Sequence, residues 1–157
     1  MLLVDEMWQE IEQTVESLTI VPGKVRVYQD GLPVCGHEKQ IVSDLAQAGS
    51  RNHKLLLRLE NRGAILMGTE SPELLLEEYR LATTSVTSMT SAGARRHQQA
   101  SAALLEKRDR DISRRIDTTL ATGETGILFL GMLHNVQAYL APDIQVLYPV
   151  PRLERRP

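Results

Sequence analysis

Three side chains able to do acid–base or ligand chemistry stand where packing alone would ask for something apolar. Glu70 comes just after the apolar run Ala64-Ile65-Leu66-Met67-Gly68, and His134 closes the run from Ile127 to Leu133. Arg108 interrupts a helical stripe made of Leu104, Ile112, Ile116 and Leu120, with Asp109 on its flank. A turn-rich loop from Asp30 to Glu38 adds Asp30, His37 and Glu38. An imidazole titrates near neutrality, carboxylates act as bases or metal ligands, and a guanidinium stabilises developing negative charge. Glu70, Arg108 and His134 are therefore the candidate catalytic residues. Asp30, His37, Glu38, Asp109 and Gly131 are candidate ligand contacts. A divalent metal is one candidate occupant, with no particular ion indicated. Each residue also has a purely structural explanation. Arg108 could pair with Glu70, Glu70 could be the acidic start of a helix, His134 could cap a short helical turn, and His37 could be one of the histidines common in loops.

These residues need elements to position them. Val4, Met7, Trp8, Ile11, Val15 and Leu18 have the spacing of one helical face, broken by Pro22-Gly23. Lys24 to Tyr28 alternates with a β-branched bias, predicting a strand that ends near Asp30. Helices follow over Ile41 to Ala48 and from a Ser50 cap through Leu59, stopped by Gly49 and Gly63. Ala64 to Gly68 has the continuous apolar character of a central parallel strand, and Ser71-Pro72-Glu73 opens another helix. Residues Thr83 to Gly93 are small and hydroxylic, predicting a mobile loop or frayed helix. A long helix is expected from about Ala94 to Thr122, then strands at Gly126 to Leu130 and Ile144 to Tyr148. The expectation is a single α/β domain over residues 1–150, followed by a flexible basic tail at 151–157. Its three layers comprise a mostly parallel sheet of about four strands, helices on both faces and one long projecting helix.

Parallel strands would bring Asp30, Glu70 and His134 to one carboxyl edge, where ligands usually bind in such sheets. A helix rises about 1.5 Å per residue and a six-residue strand covers about 20 Å, so about 13 helical residues suffice to return along the sheet. Counting back from Thr122 places Arg108 and Asp109 at that same edge. The preceding part of the helix, Ala94 to Leu105, would project beyond it.

Composition excludes several classes. The chain has 157 residues, a net charge of -2 and 24% charged residues, so it lacks a global field for nucleic acid or an anionic membrane. The basic residues between Arg95 and Arg115 are interrupted by Glu106, Asp109 and Asp111, as on a solvated helix face. One cysteine, Cys35, rules out an internal disulfide and a cysteine-rich zinc site. No apolar run approaches the roughly 20 residues of a membrane span, and acidic residues occupy the amino terminus where a signal peptide would be apolar. A cytoplasmic protein without nucleic-acid or membrane partners is expected.

The run Arg108-Asp109-Arg110-Asp111-Ile112-Ser113-Arg114-Arg115-Ile116, a glycine turn and then Ile127-Leu128-Phe129-Leu130-Gly131-Met132-Leu133-His134 resembles the carboxyl-terminal signature of the TraB/ChaN/erythromycin-esterase-like superfamily. In that group an Arg followed by Asn or Asp opens a helix before a buried strand ending in GxxH. The resemblance implies that Arg108 and His134 are site residues and that Glu70 matches the family's strand-end glutamate, with metal-dependent or esterase chemistry among the family's activities. At the first strand end, where the family carries GxxH, this chain has Asp30-Gly31-Leu32-Pro33, and Gly36-His37-Glu38 follows. Two functions are carried forward. One is a metal or small polar or anionic ligand site at the carboxyl edge, with hydrolase activity as the chemistry the resemblance implies. The other is a non-catalytic regulatory module that forms a homodimer through the loop and helix arm at residues 83–105.

Overall fold

In the computed structural model, residues 2–84 and 90–150 are described. The centre of the Thr/Ser-rich loop and the basic tail 151–157 lie outside the described residues. Alternation in the first strand decides how the layers divide. β1 (Val25–Gln29) lies between β2 (Ile65–Met67) and β3 (Thr125–Phe129), and both neighbours run parallel to it. Val25 and Val27 face one side and join a core with Leu32, Val42, Leu55, Leu56 and Leu59. Tyr28 faces the other side and packs with Ile112, Ile116 and Val136. The neighbours alternate in step: Leu66, Ile127 and Phe129 lie with the first core, Met67 and Leu128 with the second.

Helices α1 (Leu2–Ser17), α2 (Glu38–Gln47) and α3 (Arg51–Asn61) cover the first face through Val15, Val42 and the three α3 leucines. Burying a leucine fully is worth about 1.5–3 kcal/mol, so the α3 stripe is the main anchor of this side. Helix α4 (Pro72–Ala82) starts at the Ser71 cap, whose hydroxyl accepts the Leu74 N–H at 3.4 Å. Helix α5 (Ser91–Thr119) covers the second face with a buried stripe of Leu104, Arg108, Asp109, Ile112, Ser113 and Ile116. A short 3-10 helix, Val136–Tyr139, packs against it.

Three expectations are corrected. β2, whose apolar run reads as a central strand, lies at the edge of the sheet with Ile65 exposed, because among the described residues only β1 pairs with it. The sheet has three strands among the described residues, because Ile144 to Tyr148 makes no ladder. A turn ties Ile144 N–H to Ala141 C=O, and Asp117 on α5 accepts the Ala141 N–H at 3.2 Å. Ile144 thereby packs into the α5-side cluster while Leu147 stays exposed. The long helix begins and ends three residues earlier than expected. Thr90 caps it by accepting the Gly93 N–H, and Leu120 leaves it in an extended conformation. Gly123, with φ +81°, makes the turn that follows rather than the helix stop.

Candidate functional site

The carboxyl edge forms because the chain keeps zipping after β1 and β2 end. Leu32 C=O accepts the N–H groups of Thr69 and Glu70, and Val34 N–H donates to Glu70 C=O. This places the Glu70 side chain beside the turn at Gly31, where φ is +76°. Gly31 N–H donates to Glu70 Oε1 at 2.6 Å. The other oxygen and the same Oε1 receive Arg108 Nε and Nη2 at 2.6 and 2.9 Å, a two-bond fork between buried groups. Arg108 Nη1 also donates to Glu78 of α4. Burial works against the charged guanidinium, yet Glu70, Glu78 and Asp30 outweigh it and raise its pKa further.

The second half of the network centres on His134. Gly131 N–H donates to Asp30 Oδ2 at 2.8 Å, and the tight turn that follows brings the imidazole inward. His134 Nδ1 lies 2.6 Å from Asp109 Oδ1, and Asn135 N–H donates to Asp109 Oδ2 at 2.8 Å. Asp109 is thus the acceptor behind the ring. On the other side, His134 Nε2 lies 3.3 Å from Asp30 Oδ2. Burial disfavours the imidazolium, but hydrogen bonds and charge from Asp30 and Asp109 prevail, so the His134 pKa is raised above its ordinary value. For Asp30 burial pushes the pKa up, whereas His134, the Gly131 N–H and Arg108 pull it below the usual carboxylate range. Gln29 Nε2 holds Asp30 Oδ1 at 2.6 Å, and Asn52 on α3 holds Gln29 Oε1 in turn. A continuous line results: Asp109, His134, Asp30, Gly31, Glu70, Arg108, Glu78.

An open groove of about 460 Å³ lies over this line, bounded by Asp30, Glu78, Leu105, Arg108, Met132, Leu133 and His134 with the backbone of Gly31 and Gly131. The structure brings Asp30, Glu70, Arg108, Asp109, Gly131 and His134 together, with Asp109 behind the imidazole instead of in the groove. It does not bring His37 or Glu38 there. The bridge between Pro33 and Glu70 and the Gly36 turn (φ +78°) carry the chain past β2, so Glu38 accepts the N–H groups of Cys35 and Gly36. Its carboxylate lies against Gly68, where a Cβ would come within 2.6 Å of Glu38 Oε1. His37 is exposed at the start of α2 and makes no capping bond. Glu78, Leu105, Met132 and Leu133 were not singled out by sequence. A signal existed only for the last two, an exposed Met-Leu pair directly before His134.

A divalent ion does not fit these residues. Among the described residues no group of three or more His, Cys, Asp or Glu side chains could hold a metal, and both ring nitrogens of His134 already face carboxylates. No family model, curated protein or solved structure matches the chain.

Proposed function

We propose that the groove binds a small polar molecule and that His134 exchanges a proton with it, as a hydrolytic reaction would require. The observation that carries this reading is the Asp109–His134–Asp30 line, with Nδ1 anchored from behind and Nε2 at the groove. Asp109 fixes the ring and stabilises its charged form; Nε2–H, which faces Asp30 Oδ2, is the proton that would pass from Asp30's side to a leaving group, and the neutral ring left behind would accept one from water. Arg108 supplies the stabilising positive charge. The resemblance of the Arg108 to His134 stretch to the TraB/ChaN/erythromycin-esterase-like superfamily supports hydrolysis as the reaction class. A thermal-shift screen with short esters, amides and organic acids tests it on wild type and His134→Ala. The reading expects ligands that stabilise wild type and lose that effect in the variant; identical profiles would sink it.

A second reading is favoured by one observation. α4 carries Leu74, Leu75, Leu76, Tyr79 and Leu81, yet none of its residues is buried, and no residue of α5 before Leu104 is buried either. This supports a homodimer formed through the arm at residues 83–105 together with α4. Light scattering on wild type and Leu76→Glu/Tyr79→Glu decides: a dimer that the double variant dissociates supports it, a wild-type monomer counts against it.

A further inference from the structure

Arg108 has more carboxylate than it needs. Glu70, wholly buried, already balances its charge through two parallel bonds and is itself fixed by the Gly31 N–H. Glu78 adds a second carboxylate from an exposed helix, and its side chain is 49% exposed. A half-exposed ion pair adds little stability and costs the rotamer freedom of a long side chain. Removing Glu70, by contrast, would strand a buried guanidinium. The two contacts therefore differ in kind: one is structural, the other exchangeable.

The exchangeable one points into the groove. Glu78, Arg108 and His134 all line it, and a guanidinium has five N–H donors, of which Glu70 takes two. Glu78 marks a position at which the buried arginine already binds a carboxylate. Beside it are Leu105, Met132 and Leu133, the last two 80% and 66% exposed. Exposed apolar side chains at the lip of a polar groove suit a ligand with an apolar body. Exchanging one carboxylate for another also leaves the charge of the site unchanged. A phosphate dianion would add charge next to Asp30, and an amine would make no use of Arg108.

We propose that Glu78 is an internal stand-in for the ligand, and that the groove takes a small organic monocarboxylate whose acid group displaces Glu78 from Arg108 while its apolar body lies against Leu105, Met132 and Leu133. This rests on the groove being a ligand site, and it names the ligand's class. The same acid group is what ester or amide hydrolysis would leave as product.

Calorimetric titration of sodium hexanoate, hexanamide and hexylamine into wild type and Glu78→Gln tests the proposal. Hexanoate binds both proteins and binds Glu78→Gln more tightly, by up to about five-fold, since an exposed ion pair is worth at most about 1 kcal/mol. The amide and the amine bind both more weakly than the acid. Equal or weaker hexanoate affinity in Glu78→Gln, a preference for hexylamine, or no hexanoate binding to either protein overturns it. Hexanamide binding that shifts the His134 ring resonances would overturn the acid class while leaving the groove reading intact. An unshifted ring with every probe would remove both.

Discussion

The two faces of the sheet are built on opposite plans. On the α1–α3 face, the buried cluster consists of nine apolar residues, and the polar strand residue buried on that side, Gln29, is uncharged and bonded to Asn52 and Asp30. On the α5 face, the buried helix stripe alternates Leu104, Ile112 and Ile116 with Arg108, Asp109 and Ser113. The first face depends mainly on apolar burial, which tolerates some change of shape at modest cost. The second depends on each buried charge keeping its partner, and such groups are costly once a partner is lost. A protein that needed only stability would gain little from the second plan. The charged half lies beneath the groove, where the proposed function would use it to place protons and charge.

The contrast can be broken most severely at Glu70. Glu70→Ala leaves Arg108 buried with only exposed Glu78 for a partner, and should cost about 3–5 kcal/mol in urea unfolding. Replacing Glu70 and Arg108 together with a leucine and a methionine should recover most of that loss, which would show that the pair is kept for placement and not for stability. On the apolar face, Leu56→Ala should cost about 2–5 kcal/mol by leaving a cavity. It should leave the His134 titration as it is in wild type, because Leu56 touches none of the charged line.

A smaller effect concerns pH. The raised His134 pKa contributes stability that is complete below its unfolded value of about 6.5 and is lost as pH rises through the folded value. The lowered Asp30 pKa contributes stability that is complete above about 3.9 and is lost as pH falls through its folded value. The pair therefore supports the α5 face most between about pH 4 and 6.5. Urea midpoints should fall from pH 6 towards pH 9, and Asp30→Asn should flatten that decline. The smallest change is Ser113→Ala. The buried Ser113 hydroxyl has no partner among the described residues, so its removal should be neutral or stabilise by up to about 1 kcal/mol. A clear loss would mean that the hydroxyl is bonded after all.

Sequence conveyed the local features well. The strands at β1, β2 and β3, the Ser50 and Ser71 caps and the break in the α5 stripe depend on neighbours a few residues away, and each appears at the expected place. The candidate residues Glu70, Arg108 and His134 stood out for the same reason, since each interrupts or ends an apolar pattern. What joins them was not. The contact of Asp30 with His134 depends on the register that pairs Gln29 with Phe129, a fact of β1 and β3 together. Glu78 is one of two adjacent glutamates on an exposed helix, and only the packing of α4 against α5 selects it over Glu77. His37 and Glu38 looked equally suited to the edge, but the Gly36 turn takes them past it. Ile144 to Tyr148 has strand-like alternation, yet the Ile144 N–H closes a turn on Ala141 and the Tyr148 hydroxyl donates to Gln137.

The central proposal is that His134 is a proton-exchanging group held by Asp109 and in contact with Asp30 at the groove. An NMR titration of the four histidine rings, with His134 assigned from the His134→Ala spectrum, tests it most directly in wild type, Asp109→Asn and Asp30→Asn. The account predicts a His134 pKa above the ordinary histidine value in wild type and a lower one in each variant. A wild-type value at or below the ordinary one, or one unmoved by both substitutions, would contradict it.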